Sequence, residues 1–378
     1  MRKFLVFLVS VIFALASTGA NADIVYLTDS GALGRIGITG AESTDLYGTQ
    51  YAVSWNDPFL GSYWDGSNSR VILVERETDT AASGDTALVF NPADLTRPID
   101  SERKVLAGVY SAQAMAGSEN GRGIFFASGS SIHEFSTSDF SLSRSYTYKP
   151  KTSEDITAEI TALMTGSNVI YALVKQENSC DIFLGFDGQL REDVTKNFER
   201  TALYSDTAAI SWLSNARIAA GHTDGIDVRG RNSRVFGRML STDVPVKALC
   251  EDAGDGVYFI EQSEIDDVYT TSLKHYISDT EITELFTNTE GQAYTLLRDK
   301  DSGIVSAIVG DVILVYMMDG DILLGKYDSS ELGGIPVQIA SSTVSGDDGK
   351  SSSGCSVAGM GMLLILAAGC MFLKRYGI

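Results

Sequence analysis

The sequence is poor in cysteine and histidine, and each shortage narrows the classes of protein that it can encode. Four cysteines among 378 residues are too few for a disulfide scaffold, and the two away from the chain ends, Cys180 and Cys250, show no C-x-x-C spacing. We expect two buried apolar cysteines, although an oxidising compartment would permit a disulfide. The three histidines, His133, His222 and His275, show no i,i+4 or H-E-x-x-H spacing, so no metal site is predicted.

Positive charge is also scarce. Lys and Arg number 29 against 49 Asp and Glu, which gives a net charge of −20 and argues against binding to nucleic acid or anionic lipid. No G-x-S-x-G, G-x-x-x-x-G-K-[ST] or strand-linked G-x-G-x-x-G motif is present, which removes the easily recognised hydrolases and nucleotide-binding proteins. Several aspartates come in pairs that calcium would suit, with residues 299–303 nearest to a calcium loop. Turn and loop aspartates explain these pairs better, so we predict no cofactor.

What the chain does contain is a series of short runs rich in Val, Ile, Tyr and Phe, bounded by Gly, Asp, Asn or Ser. Such runs predict β-strands joined by turns. Their starts lie roughly 40 to 55 residues apart, the repeat length of propeller blades. The clearest runs are 24–27, 71–75, 124–127, 169–174, 217–220, 257–260 and 312–317. The predicted fold class is therefore all-β, a β-propeller of about seven blades, with six blades or tandem β-sandwiches as alternatives.

A second landmark indicates the innermost strand of each blade. A small residue followed by a large apolar one precedes most of the runs, which suits strands that crowd around a central channel. These pairs are Ala114-Met115, Ala162-Leu163, Ser211-Trp212, Ala248-Leu249 and Ala307-Ile308, with Ala52-Val53 as a sixth candidate.

The two ends of the repeat differ from its middle. The last unit can hold strands at 303–309, 312–317, 322–327 and 335–340, whereas the first unit, 23 to about 48, has no inner strand of its own. We therefore expect the N-terminal strands to close the ring, which leaves no long sheet edge exposed. Segment 153–164 fits either a helix or a strand, and its β-branched residues favour the strand.

Segment 47–70 is the most distinctive stretch of the body, because it sets aromatic rings among carboxylates and amides. Such surfaces bind sugars or peptides, and ligand sites on this kind of scaffold lie in loops. The candidate ligand-binding residues are Trp55, Asp57, Tyr63, Trp64 and Asp65. The alternative, which the sequence favours, is that the rings fill a gap between the first two units.

The N-terminus predicts a secretory signal peptide at residues 1–22. A basic start is followed by an apolar stretch at 4–16 and by an A-x-A cleavage site at Ala20 and Ala22. We expect the chain to be exported across the inner membrane and the mature protein to begin at Asp23.

The C-terminus predicts a membrane segment. The body, 23–340, is followed by a Ser/Gly/Asp-rich linker at 341–353 and by a segment at 354–378 with an apolar run at 357–373. This run would form a helix of about 25 Å, slightly short of the roughly 30 Å hydrocarbon core of a bilayer. Lys374 and Arg375 follow it and belong on the cytoplasmic side. We predict a marginal transmembrane helix.

The serine tract, the Gly354-Cys355 pair, the apolar run and the basic end together resemble a class of bacterial C-terminal sorting signals. This class includes the GlyGly-CTERM and MYXO-CTERM families, and the chain looks most similar to the Synerg-CTERM variant. The resemblance covers residues 351–378 only. It implies that an intramembrane sorting protease processes the chain near Gly354 and Cys355, and that the body is anchored in the membrane or carried to the cell surface.

These observations predict an exported binding module at the cell envelope rather than an enzyme. Its partners would be the membrane, the sorting protease and an envelope protein or glycan. Two alternatives stay open. One is an envelope glycan hydrolase or lyase whose carboxylates gather at the channel mouth from different blades, and the other is a structural envelope protein.

Overall fold

A computed structural model describes residues 23–39, 43–53, 57–77, 83–118, 120–148, 157–166, 169–176, 179–185, 198–203, 205–213, 217–230, 236–252, 254–278, 281–299 and 302–341. The predicted signal peptide, the linker beyond residue 341 and the C-terminal segment lie outside these ranges, as does Trp55. Among the residues described, no helix is both long enough and apolar enough to cross a membrane.

The described chain forms seven antiparallel four-stranded sheets, which we call blades and number along the chain. Blade 1 contains β1 (Asp23–Thr28), β2 (Ala32–Thr39), β3 (Ser43–Ala52) and the last strand of the chain, β28 (Pro336–Ser341). Blade 2 contains β4 (Phe59–Trp64), β5 (Ser69–Glu75), β6 (Gly84–Phe90) and β7 (Lys104–Ala107). Blade 3 contains β8 (Ala114–Gly117), β9 (Gly123–Ser128), β10 (Ser131–Ser136) and β11 (Leu142–Thr147). Blade 4 contains β12 (Ala158–Gly166), β13 (Val169–Gln176), β14 (Ser179–Gly185) and β15 (Phe198–Leu203).

The remaining three blades follow the same order. Blade 5 contains β16 (Ala209–Leu213), β17 (Arg217–His222), β18 (Gly225–Gly230) and β19 (Gly237–Ser241). Blade 6 contains β20 (Val246–Glu251), β21 (Val257–Ile265), β22 (Val268–Ser278) and β23 (Glu281–Asn288). Blade 7 contains β24 (Tyr294–Asp299), β25 (Ile304–Val309), β26 (Val312–Met317) and β27 (Ile322–Asp328). A short helix, α1 (Ser329–Leu332), lies between β27 and β28 and is capped by Asp328.

The blades pack face to face in a ring, which confirms the expected β-propeller. Their innermost strands, β28, β4, β8, β12, β16, β20 and β24, contact one another in that order and return to β28. Seven apolar clusters fill the interfaces, each drawn from two neighbouring blades. In β1, Ile24 and Tyr26 pack toward blade 7, whereas Val25 and Leu27 pack toward blade 2. Because both faces of the inner and middle strands are buried, those strands read as continuous apolar runs, whereas outermost strands such as β11 and β23 are largely exposed.

Blade 1 closes the ring with strands from both ends of the described chain. β28 pairs antiparallel with β1, from Ile24 opposite Ser341 to Thr28 opposite Pro336. The expectation that the N-terminal strands close the ring is therefore confirmed. The predicted last unit is wrong in one respect, because β28 belongs to blade 1 and β24 is the inner strand of blade 7.

Four of the six small-large pairs mark inner strands, as predicted, and they lie in β8, β12, β16 and β20. The other two assignments are wrong, because Ala307-Ile308 lies in the second strand of blade 7 and Ala52 ends the outermost strand of blade 1. The inner strand of blade 2 is β4, so the described part of segment 47–70 contributes to the regular strands β3, β4 and β5. Residues 158–164 lie in β12, which confirms the strand interpretation for the described part of that segment.

The strand directions define two faces of the ring. Each blade runs from its inner strand outward, so the first-to-second and third-to-fourth turns share one face. Since Ser341 at the end of β28 lies opposite Ile24 in β1, both ends of the described body lie on this face, which we call the terminal face. The opposite face carries the second-to-third turns and the links between blades, and we call it the distal face.

Polar side chains tie the inner strands together near the terminal face. Arg298 of β24 donates to the carboxylate of Glu251 of β20, and both side chains are buried. The hydroxyl of Ser341 in β28 donates to Asp299 at the end of β24 over 3.0 Å. These contacts join blades 6, 7 and 1 around the channel, where backbone pairing does not link the blades.

Because β28 closes the ring, truncation of one of its buried side chains tests whether the strand lies in the core. Ile339 is 3% exposed and packs between blades 7 and 1. We expect Ile339→Ala to lower the free energy of unfolding by about 2–5 kcal/mol, because it opens a cavity in this interface. Ile322→Ala is the control, since Ile322 is 53% exposed and its truncation should change stability by about 0.5 kcal/mol or less. Equal shifts of the urea unfolding curves would contradict the buried position of β28.

Candidate functional site

The described candidate residues of segment 47–70 lie in different parts of the structure. Tyr63 is 2% exposed, and its ring lies edge-on to Phe140 with the centroids 6.2 Å apart. Burial raises the pKa of the Tyr63 hydroxyl above its ordinary value. Tyr63 belongs to the core between blades 2 and 3, one interface beyond the gap between the first two units that the alternative names.

Trp64 is the last residue of β4, and Asp65 begins the turn from β4 into β5 on the terminal face. The Asp65 carboxylate accepts the backbone N–H groups of Ser67 and Asn68 over 2.8 and 2.7 Å. It also pairs with Arg70 over 2.8 Å. These bonds hold the turn in shape, which is the ordinary work of an aspartate in this position.

Asp57 lies just before β4, at its distal end. Its carboxylate pairs with Arg76 over 2.7 Å, and that guanidinium lies 5.4 Å from the centre of the Phe59 ring. Asp57 and the Trp64-Asp65 turn are thus at opposite ends of one strand, so these candidates do not share a surface. A ligand role for this segment stays a prediction.

A group of titratable side chains that the sequence did not reveal surrounds His275 in β22. Its Nδ1 lies 2.9 Å from Oδ2 of Asp321, and its Nε2 lies 3.2 Å from Oδ2 of Asp252. The ring stacks on Tyr258, with centroids 4.0 Å apart and 14° between the planes. The Tyr258 hydroxyl donates to Oδ1 of Asp321 over 2.7 Å. We call these four side chains the His275 cluster.

Turns and strand register bring the His275 cluster together. Tyr258 and His275 are register partners on β21 and β22. Asp252 follows β20 and accepts the N–H groups of Gly254 and Gly256 over 2.6 and 3.0 Å. Asp321 comes from the β26–β27 turn of blade 7, where its φ is 52°. The cluster therefore joins blades 6 and 7 at the terminal face.

The electrostatics of the cluster favour a protonated histidine. Burial alone lowers the pKa of His275, but the hydrogen bonds and charges of Asp252 and Asp321 outweigh it, so the pKa is raised overall. Burial opposes ionisation of Asp252, yet its bonds to His275 and to the turn N–H groups leave its pKa below the ordinary value. Burial and the carboxylate of Asp321 raise the pKa of the Tyr258 hydroxyl.

The His275 cluster is better suited to hold blades 6 and 7 together than to act as a catalytic base. Tyr258 is fully buried, and His275 and Asp252 are 6% and 8% exposed. A neutral imidazole can donate through only one of its nitrogens, whereas the protonated ring donates to both carboxylates at once. The bridge from blade 6 to blade 7 is therefore strongest when His275 carries its proton.

The other two histidines have local partners in different blades. Nδ1 of His133, in blade 3, lies 2.9 Å from the Ser145 hydroxyl. Nε2 of His222, in blade 5, lies 3.6 Å from Asp227, which also pairs with Arg238 over 2.7 Å. Within the described ranges, no group of three or more His, Cys, Asp or Glu side chains is arranged to hold a metal ion.

The structure describes the side chain of one of the two cysteines that we expected to be buried. Cys250 is 1% exposed and lies in the apolar cluster between blades 6 and 7, as predicted. The side chain of Cys180 lies outside the described part of the structure.

A second group of polar side chains lies at the distal ends of the inner strands, around the mouth of the channel. Lys247 is the extra residue of a β-bulge in β20, because Val246 pairs with Glu261 and Ala248 pairs with Ile260. A bulge takes its extra residue out of the regular alternation of side chains, and bulges are frequent beside active sites. Thr161 holds the same position in β12, between Ile160 and Ala162.

The sequence matches no protein-family model and no curated protein. Its fold, by contrast, is similar to many solved structures. One, from Bacteroides fragilis and provisionally assigned as a 6-phosphogluconolactonase, gives a TM-score of 0.58 at 13% identity over 86% of this chain and 99% of its own. Another with the same provisional assignment, from Bacteroides uniformis, gives 0.56 at 12% identity over 85% and 99%. At these identities the likeness shows the fold alone, and the chain is a β-propeller.

The raised pKa of His275 predicts how stability depends on pH. Protonated His275 adds to the free energy of unfolding. This contribution is complete below the pKa of about 6.5 that the residue has in the unfolded chain, and it is lost as the pH rises through the higher pKa of the folded protein. We therefore expect His275→Gln to lower the melting temperature by about 2–4 °C more at pH 5.5 than at pH 8.5. Thermal unfolding followed by circular dichroism at both pH values measures this difference.

His133→Gln is a matched control of opposite sign. Burial lowers the pKa of His133, so this residue costs stability in acid and its replacement should be tolerated better at pH 5.5 than at pH 8.5. If His275→Gln cost the same at both pH values, the His275 cluster would act through packing and not through charge.

Proposed function

We propose that the protein is an exported β-propeller, held at the cell envelope by its C-terminal segment, whose distal face binds an envelope protein or glycan. The observation that carries this proposal is the position of the two ends of the described body. Ile24 and Ser341 are register partners in blade 1, so a tether that continues from Ser341 leaves through the terminal face. The distal face would then point away from the attachment point and be open to a partner.

A hairpin on the distal face supports this orientation. β21 and β22 contain 9 and 11 residues, whereas the equivalent β25 and β26 contain 6 each. The hairpin therefore extends beyond the rim by about three residues, or roughly 10 Å. Ile265 and Val268 at its tip are 69% and 52% exposed. Exposed apolar side chains on a projecting element favour a role in contact with a partner.

A glycan hydrolase or lyase receives less support from the described residues. The carboxylates of Asp252 and Asp321 come close together, but they share His275 between them and lie on the terminal face. Both carboxylates of such a pair are engaged by the protonated imidazole, whereas glycosidic chemistry needs one carboxyl group free to give a proton and another free to attack or to activate water.

The binding proposal predicts that the two faces respond differently to the same kind of change. We expect Ile265→Ser with Val268→Ser to weaken binding of the full chain to glycan or envelope-peptide arrays by about tenfold or more, because it removes the apolar tip. The control is Ile322→Ser with Leu323→Ser, since these residues are also apolar and are 53% and 48% exposed but lie on the terminal side of blade 7. If the Ile265/Val268 variant still bound and the Ile322/Leu323 variant did not, the terminal face would be the binding face and the proposed orientation would be reversed. If the unaltered protein bound neither glycans nor envelope peptides, the proposal would be wrong.

The sorting signal makes a separate prediction for the two ends of the chain. We expect the mature protein to begin at Asp23 and to lack residues 360–378, because the sorting protease acts near Gly354 and Cys355. Intact-mass spectrometry of the protein from cells measures both ends. Cys355→Ser should leave the tail in place, whereas the neighbouring change Ser356→Ala should not. An intact tail on the unaltered protein would instead indicate a permanent membrane anchor.

A further inference from the structure

Most of the exposed large apolar side chains lie on the terminal face, the face from which the tether leaves. In the described part of the chain eleven such side chains are exposed, and seven of them belong to this face. Each of the seven lies in the link between the third and fourth strands of a blade, or within two residues of it. They are Ile99, Val105, Leu142, Ile277, Ile282, Ile322 and Leu323.

These side chains lie on both sides of the blade from which the tail leaves. Blade 1 ends the described body at Ser341, and the apolar links belong to blades 2 and 3 on one side of it and to blades 6 and 7 on the other. Across the ring, the outermost strand of blade 5 begins instead with Gly237 and Arg238, which are both exposed. The apolar part of the terminal face is therefore the part nearest to the tether.

The length of the tether keeps this face close to the membrane. Residues 342–356 separate Ser341 from the apolar run at 357–373. A Gly/Ser-rich linker of this length has a root-mean-square end-to-end distance of about 20 Å. Such a short connection gives the tethered face a high effective concentration at the bilayer, so contacts that would be too weak on their own can persist.

Four of the apolar side chains form a group at the junction of blades 6 and 7, which we call the terminal patch. They are Ile277, Ile282, Ile322 and Leu323, with exposed fractions of 41%, 48%, 53% and 48%. The number of large aliphatic groups exposed at one junction is typical of a surface that contacts something apolar.

The terminal patch is held in place by contacts between the two blades. Asp321 directly precedes Ile322, and its carboxylate lies 2.9 Å from Nδ1 of His275, two residues before Ile277. Tyr316 is the register partner of Leu323, and its hydroxyl donates to the backbone oxygen of Leu285 in β23 over 3.2 Å. Because the patch is already ordered, little conformational entropy is lost when it makes a contact.

We propose that the terminal patch inserts into the interface of the bilayer that holds the C-terminal segment, so that the propeller rests on the membrane by blades 6 and 7. The aliphatic side chains would enter the boundary between head groups and acyl chains, where apolar groups on a polar body bind. This inference rests on the proposed function, because it depends on the tether that leaves the terminal face.

The charges beside the terminal patch determine which lipid it suits. Glu281 and Asp319 are exposed neighbours of the patch, and the whole chain has a net charge of −20. An anionic lipid would repel these carboxylates, and added salt would screen the repulsion. The partner is therefore a zwitterionic lipid surface.

The test places a tryptophan in the terminal patch of the full chain, reconstituted with its tail into phosphatidylcholine nanodiscs. We expect brominated phosphatidylcholine to quench most of the fluorescence that Ile322→Trp adds to that of the unaltered protein, because this ring would lie in the lipid interface. The matched variant is Ile265→Trp, at a position that is 69% exposed on the distal face, and the fluorescence that it adds should not be quenched. Replacing part of the lipid with phosphatidylglycerol should reduce the quenching of Ile322→Trp at low salt.

A second variant separates insertion from mere nearness to the membrane. Ile277→Ser, Ile282→Ser and Leu323→Ser, combined with Ile322→Trp, keep the tether but remove the rest of the patch, and most of the quenching should be lost. Quenching that persists in this variant, or that is equal at positions 265 and 322, would show that the patch does not hold the body on the membrane.

Two further outcomes would also overturn the inference. Dimerisation of the detergent-solubilised full chain in sedimentation experiments, abolished by the serine changes, would make a second copy of the chain the partner of the patch. If Ile322→Trp were not quenched while the Ile265/Val268 change still abolished array binding, the membrane contact would be wrong and the proposed function would stand.

Discussion

The structure depends on one pairing, that of the last strand of the body with the first. β28 completes blade 1 by its register with β1, and without it the interfaces of blade 1 with blades 7 and 2 would lose their inner strand. Almost the whole body lies between β1 and β28 in the sequence. The chain therefore loses the entropy of closing this long loop before the stabilising contacts between the two strands can form. The ring can therefore close only after the entire body has been made and, for an exported chain, translocated.

Closure also explains the composition of the strands. Each blade buries both faces against neighbours, so residues that alternate along a strand serve two different cores, as Ile24 and Val25 do in β1. Two charged contacts between blades lie near the terminal face of the ring. The Arg298–Glu251 pair and the His275 cluster both join blade 6 to blade 7 there. Each combines charges with defined hydrogen bonds, so both add directional contacts to the close-packed apolar interface of these two blades.

The sequence was informative about the repeat and much less so about the sites. The period of the apolar runs predicted the propeller, and the small-large pairs located β8, β12, β16 and β20. The same signal misled at Ala307-Ile308, because a second strand buried on both faces has the composition of an inner strand. The His275 cluster was not predicted, since its carboxylates lie 23 and 46 residues from the histidine along the chain and one belongs to another blade.

A tether at Ser341 would place its load on the strand that closes the ring. Force on the tail would act along β28, whose hydrogen bonds to β1 lie perpendicular to the strand and would resist it together rather than one after another. The side chains of Ile339 and Ala340, buried on opposite faces of β28, would have to leave two apolar interfaces at the same time. Ser341 adds its bond to Asp299 at the very point where the tail begins. The strand that is last to join the ring is thus held by backbone pairing, by two cores and by a terminal hydrogen bond, which suits it to carry an anchor without opening the propeller.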